Sequence, residues 1–171
     1  MKIDTTVKIS NRASAFYVAS LATLLLLLGP SVQDANAQVA LGVQGNWGSE
    51  ADLGVGARLL TNLGGSNFET VASVDRFFPD NNLNWWDFNA NLFYHFHLAN
   101  THTVLPYLGG GLNVARLSSG NSANNEAGLN LAGGIRFPGS ISPFVEVRAV
   151  VSGAEQIVIT GGLLFGRTGF H

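Results

Sequence analysis

The stretch Asn84–Leu98 limits what this chain can become more than any other. Trp86, Phe88, Ala90, Leu92, Tyr94, Phe96 and Leu98 are apolar throughout. The interleaved Trp85, Asp87, Asn89, Asn91, Phe93, His95 and His97 are mostly polar. A strand sends successive side chains to opposite faces, so this pattern makes a two-faced strand. Helical spacing would put Asp87 beside Asn91 and mix polar with apolar residues on the next face, leaving no apolar stripe. The stretch is also long, since strands of soluble domains usually run to about five or six residues. From Trp86 to Phe96 an extended chain covers roughly 33 Å at about 3.3 Å per residue. Tilted by about 40°, it rises roughly 25 Å, the height of the lipid-facing band between the aromatic girdles of an outer-membrane barrel. Trp86 and Phe88 would then belong to one girdle, Tyr94 and Phe96 to the other. A long hairpin strand of a soluble sandwich or lipocalin-like barrel shares the alternation, so the rest of the chain has to separate the two.

Charged residues make up 12% of the 171 residues, against about 25% in an ordinary soluble domain. Hydrophobic residues nevertheless reach only 46%, and no run after residue 30 is apolar enough for a membrane helix. Strands alternating toward lipid produce this combination. The chain has no cysteine, which excludes disulfides and thiolate metal sites. Beyond Ala37 there is no lysine, and the Arg and acidic residues leave that part slightly acidic. No basic face for nucleic acid is expected.

Residues 1–37 read as a secretory signal. Lys2, Lys8 and Arg12 precede an apolar core over Ala13–Leu28, Gly29-Pro30 breaks it, and Ala35-Asn36-Ala37 offers small residues where signal peptidase reads. Cleavage is expected after Ala37, leaving 38–171 as one domain beyond the inner membrane; an uncleaved membrane helix is the alternative.

That domain divides into eight strand-like segments: Val39–Trp47, Ala51–Leu60, Phe68–Phe78, Asn84–Leu98, Val104–Leu117, Ala127–Phe137, Ser142–Val151 and Gln156–Gly166. The links are short enough for antiparallel hairpins; Pro79–Asn82 is a polar loop and Ser118–Asn125 the longest one. Nearly every segment sets branched aliphatics and aromatics on one face against glycine, amides and charges on the other. A water-soluble barrel needs Lys and Glu outside. Here the polar face is poor in charge and rich in glycine, which suits a narrow interior. The apolar face must then be outside, against lipid. The expected fold is all-β: an eight-stranded antiparallel up-and-down transmembrane β-barrel after a cleaved signal peptide.

By parity Arg58, Asp75, Asp87, Arg136, Glu146 and Arg148 face the polar side, three cations and three anions. Enclosed together, they are expected to form an interior ion-pair network, with Arg chosen for its two-point grip on carboxylates. A proton or ion path is the functional alternative.

At this point the chain resembles the small outer-membrane barrels of Gram-negative-type bacteria, the OmpA/OmpX-like superfamily, over roughly Gln38–Phe170. The resemblance rests on Pro106-Tyr107-Leu108-Gly109-Gly110-Gly111-Leu112, on Pro143-Phe144-Val145-Glu146-Val147-Arg148 and on the signal-plus-eight-segment layout. It implies a fold and a membrane rather than a task. It implies outer-membrane lipid as surroundings, the barrel-assembly machinery as a partner during insertion, and both termini on the periplasmic side. Such barrels usually end on an aromatic residue. Here Phe170 is followed by His171 and is out of phase with Phe165, so the terminal mark is either Phe165 or a bulged arrangement around Gly166 or Gly169. Nothing after segment eight corresponds to a peptidoglycan-binding domain, so wall anchoring is not expected.

No catalytic site is expected. The serines lie mainly in turns, no His-x-Ser pair occurs, and nucleophilic catalysis needs a base within hydrogen-bond reach. Gly109–Gly111 has no following helix or Gly-Lys-Ser/Thr and is no phosphate loop; its glycines make room inside the barrel. His95 and His97 share a face with His102 just beyond, a spacing that can chelate a metal if a third ligand converges; filling a polar interior or rim is the preferred reading. No cofactor or metal is therefore assigned. Two roles remain: a structural or surface-interaction barrel acting through its outer loops, and a small pore or carrier for an apolar ligand. A soluble periplasmic or secreted ligand-binding barrel is the outside alternative.

Overall fold

The computed structural model describes residues 39–63, 66–80, 83–97, 103–120 and 122–166. The signal segment, Leu98, His102 and the terminal Phe170-His171 pair lie outside them. Eight strands follow one another: β1 (Val39–Gly48), β2 (Asp52–Asn62), β3 (Phe68–Phe77), β4 (Asn84–His95), β5 (Leu105–Ser119), β6 (Ser122–Arg136), β7 (Ile141–Val151) and β8 (Gln156–Gly166). Each pairs antiparallel with the next, and β8 pairs with β1, closing the barrel. Closure leaves no edge strand around the barrel itself, where each strand has a neighbour on both sides.

The register fixes the barrel's shape. Starting at Ile135 on β6, direct partners run through Val145, Gly161, Gly45, Val55, Arg76, Trp86 and Arg116 to Asn125, ten residues earlier on the same strand. Eight strands with a ten-residue stagger, spaced about 4.7 Å apart and rising about 3.3 Å per residue, tilt by about 40°.

Sidedness follows the alternation. Leu92 and Leu131 are 45% and 59% exposed on the outer wall, whereas Asn89 and Arg136 are 2% and 1% exposed inside. Inward glycines let large inner side chains lie against the adjacent strand. A Cβ on Gly56 would sit 1.9 Å from Asp75 Oδ1, and one on Gly109 would sit 2.7 Å from Phe93 Cδ1.

Most strand ends fall within two residues of the sequence reading, and the larger differences lie at the end of β4 and at the β5–β6 hairpin. β4 stops at His95 rather than Leu98. Its next partner on β5 would be Pro106, which accepts from the Phe96 N–H at 2.9 Å but has no N–H to return, so the ladder ends there. His97, read as filling a polar interior or the rim, is exposed past the strand end. The stretch Ser118–Asn125 is mostly strand rather than loop: β5 runs to Ser119 and β6 starts at Ser122, joined through Gly120 at φ +56°. Its polar composition marks a hairpin bathed in water, which keeps its ladder because each strand pairs with the other. From Ser122 to Gly128, β6 pairs with β5 alone, and pairing to β7 begins at Leu129.

Substituting Gly56 by Val should cost at least about 2 kcal/mol by overpacking, whereas Gly45→Ala, whose Cβ meets nothing within 4 Å, should be neutral. Urea unfolding in detergent micelles measures both.

Candidate functional site: the enclosed polar belt

Inward positions sort into layers. Near the end that holds the β2–β3, β4–β5 and β6–β7 connections, Ala40, Leu60, Val71, Phe93, Tyr107, Ala132, Phe144 and Leu164 form an apolar cluster. Near the opposite end Ala51, Phe77, Trp85, Ala115, Ala154 and Val158 form a second. Between them lies a belt of amides and charges. Leu60, Phe77, Val158 and Leu164 are apolar residues on what the sequence marked as the polar face. Alternation reports which face a residue takes but not its height, so the layers were not visible from it.

Asp75 is the hub of the belt and has no solvent exposure. Its Oδ1 accepts from Gln44 Nε2 and, at 2.8 Å, from Asn46 Nδ2. Its Oδ2 accepts from Ser73 Oγ at 3.4 Å, Asn89 Nδ2 at 3.2 Å and Arg148 Nη2 at 3.4 Å. The Asn89 side chain passes the network on, its Oδ1 accepting from Asn113 at 2.9 Å and Asn130 at 3.0 Å. Thr160 donates to Asn46 Oδ1 at 2.7 Å.

Arg58 grips Glu146 with both terminal nitrogens, at 3.1 and 3.2 Å, and its Nε donates to Gln44. Tyr107 donates its hydroxyl to the same carboxylate at 3.0 Å. The Arg58 guanidinium also lies 4.1 Å from the Phe144 ring centre, an arrangement that favours a desolvated cation.

Of the six charges read as one interior network, the structure therefore brings Arg58 to Glu146 and Arg148 to Asp75. Arg136 pairs instead with Glu69, through two hydrogen bonds of 2.8 and 2.7 Å, below the apolar cluster rather than in the belt. His95 Nε2 lies 3.4 Å from the same Glu69 carboxylate. Asp87 makes no ion pair among the described residues; it accepts from Trp85 Nε1 at 2.7 Å and Gln156 Nε2 at 3.3 Å. Directly across the ladder from Asp75, it takes neutral donors while Asp75 takes the cation. Glu69 was missed as Arg136's partner, although the same parity that selects Asp75 places it inside.

On the outer wall, Tyr94 packs edge-on against Phe68 and Phe96, with ring centres 5.2 and 5.1 Å apart. Trp86 lies near the other end, beneath Arg76 at 5.4 Å, and Phe88 faces outward two residues further on. Among the described residues no three His, Asp or Glu side chains converge as a metal site would require.

A closed eight-stranded antiparallel wall with an apolar outside and a side-chain-filled polar belt defines the fold of the small outer-membrane β-barrels. The N-terminal β-barrel domain of Pseudomonas aeruginosa OprF superposes with a TM-score of 0.61 at 14% identity, over 76% of this chain and 97% of that one. Neisserial surface protein A gives 0.53 at 15% identity, over 77% and 97%. A de novo designed transmembrane β-barrel gives 0.51 at 10% identity, over 76% and 95%. No protein-family model matches the chain, and no curated protein matches it in sequence.

Replacing Arg58 by Met should cost about 3–5 kcal/mol by leaving Glu146 buried and unpaired, whereas the Arg58→Met/Glu146→Leu pair should recover most of that loss. A double-mutant cycle from urea unfolding in micelles tests the difference.

Proposed function

We propose that this protein is an integral outer-membrane β-barrel with a structural or surface-interaction role. It acts through the elements opposite its termini, chiefly the polar β5–β6 ribbon. The observation that carries this reading is the wall itself. Leu41, Leu53, Val55, Leu129, Leu131 and Ile157 are each more than half exposed, and they belong to an apolar surface running around the barrel. Monomeric proteins in water rarely expose contiguous apolar patches beyond a few hundred Å². In lipid such a surface is solvated, and the closed ladder pairs the backbone of the wall strand to strand.

Trp86 and Phe88 toward the ribbon end, and Tyr94 and Phe96 toward the other, are then the aromatic girdles at the two interfaces. Outer-membrane lipid is the surrounding medium and the assembly machinery the partner during insertion. The ribbon is the surface element best suited to contact, because the side of Ser122–Gly128 away from β5 has no ladder partner.

The pore or carrier reading is less well supported. Asp75, Arg148, Arg136 and Glu146 are each at most 1% exposed, and the apolar clusters stand above and below the belt. A conducting barrel keeps its interior charges wet. The proton- or ion-path reading meets the same objection, since the carboxylates are engaged by side chains.

Membrane fractionation should recover the protein only with detergent, and its mobility on an unboiled gel should differ from the boiled form. Recovery in the aqueous phase would remove the membrane reading. In planar bilayers the purified protein should give no steady single-channel steps; regular steps would favour the pore.

A further inference from the structure

The charged side chains of the outer wall are few and of one sign. The outward faces of the described strands carry two charged residues, Arg76 and Arg116. The register puts them on either side of one tryptophan: Arg76 is the direct partner of Trp86, and Trp86 the direct partner of Arg116. Arg76 lies 5.4 Å from the ring centres of both Phe78 and Trp86 and donates to Asn84 Oδ1 at 3.2 Å. All three partners are neutral, and neither arginine makes an ion pair among the described residues. A guanidinium on a lipid-facing wall is costly unless an anion meets it, and its planar fork matches phosphate.

The wall beside Arg76 is hollowed. An open groove of about 660 Å³ runs from Arg76 and Trp86 across Val43, Gly45, Val55, Val74, Gly161 and Leu163. Gly45 and Gly161 face each other across the β1–β8 ladder, and a Cβ on either would meet nothing within 4 Å. The inward glycines are dictated by packing; these two are not, and they leave a trough. Because the register row climbs with the strand tilt, Arg76 stands about 6 Å nearer the ribbon end than Gly45, from a strand spacing of about 4.7 Å.

We propose that this wall holds one phosphate-bearing lipid, its headgroup between Arg76 and Arg116 against Trp86 and one acyl chain in the trough over Gly45 and Gly161. The inference rests on the membrane reading above. A second copy of the chain is the less suitable occupant, since a two-fold contact across this groove repeats the same patch on both sides and brings Arg76 and Arg116 toward like charges.

The test uses the full chain in detergent micelles, its folded state scored by heat-modifiable mobility, with bound lipid read by native mass spectrometry. The probes are bis-phosphorylated lipid A, the same lipid with its phosphates removed, and inorganic phosphate. The phosphorylated lipid should be retained about tenfold better than the dephosphorylated one, as expected for charge-assisted contacts, and inorganic phosphate should not displace it. Arg76→Gln/Arg116→Gln and Gly45→Leu/Gly161→Leu should each lower retention about tenfold, the first by removing charge and the second by filling the trough. Because the comparison of lipids uses the unaltered protein, it decides the matter even if a variant does not fold. Equal retention of the two lipids, full displacement by inorganic phosphate, unchanged binding by folded variants, or a dimer that Gly45→Leu/Gly161→Leu dissolves would each overturn the lipid site. A heat-modifiable barrel without phosphate preference removes this site and leaves the membrane reading standing. Recovery in the aqueous phase removes both.

Discussion

Asp75 accepts hydrogen bonds from five side chains on four other positions of the wall and its own strand, among them Arg148 from the far side of the barrel. A carboxylate with no access to water must find its whole solvation shell in the protein. That requirement ties β1, β3, β4 and β7 together across the lumen, beyond what the neighbour-to-neighbour ladder achieves. The second carboxylate of the belt, Glu146, is satisfied in the same manner by Arg58 and Tyr107. Breaking one member therefore strands another, which is why such networks penalise single truncations more than paired ones.

The belt needs room, and glycine supplies it. Gly56 yields to Asp75, Gly109 to Phe93 and Gly162 to Phe144, each at a distance where a Cβ would collide. Large inner side chains are thus matched by missing ones on the adjacent strand. A ten-residue stagger over eight strands leaves a lumen that side chains fill. The apolar clusters then close over the charges of the belt, leaving the Arg136–Glu69 pair beyond one of them.

The outside obeys the opposite rule. Aliphatic and aromatic residues are left exposed around the wall, and the charges there are confined to Arg76 and Arg116 beside Trp86. Two of the outward glycines, Gly45 and Gly161, have nothing to collide with. The same residue type thus serves packing on one face and leaves a groove on the other. Which of these a glycine does depends on the neighbouring strand, not on its own position in the sequence.

Much was legible from sequence alone. Period-two alternation marked the strands and which side chains share a face, because a strand offers its residues only two directions, and the short links set their antiparallel order. It placed Arg58, Asp75, Asp87, Arg136, Glu146 and Arg148 inside, and Trp86, Phe88, Tyr94 and Phe96 outside. It could not say which charge meets which. Glu69 rather than a belt carboxylate takes Arg136, and Asp87 is served by Trp85 and Gln156, because partners across a lumen depend on stagger and height, which local periodicity does not encode. Nor could it tell a polar strand from a loop over Ser118–Asn125, where composition reports contact with water and only pairing defines the strand. The single chain thus determined faces. The closed ladder decided heights, and with them every contact made across the barrel.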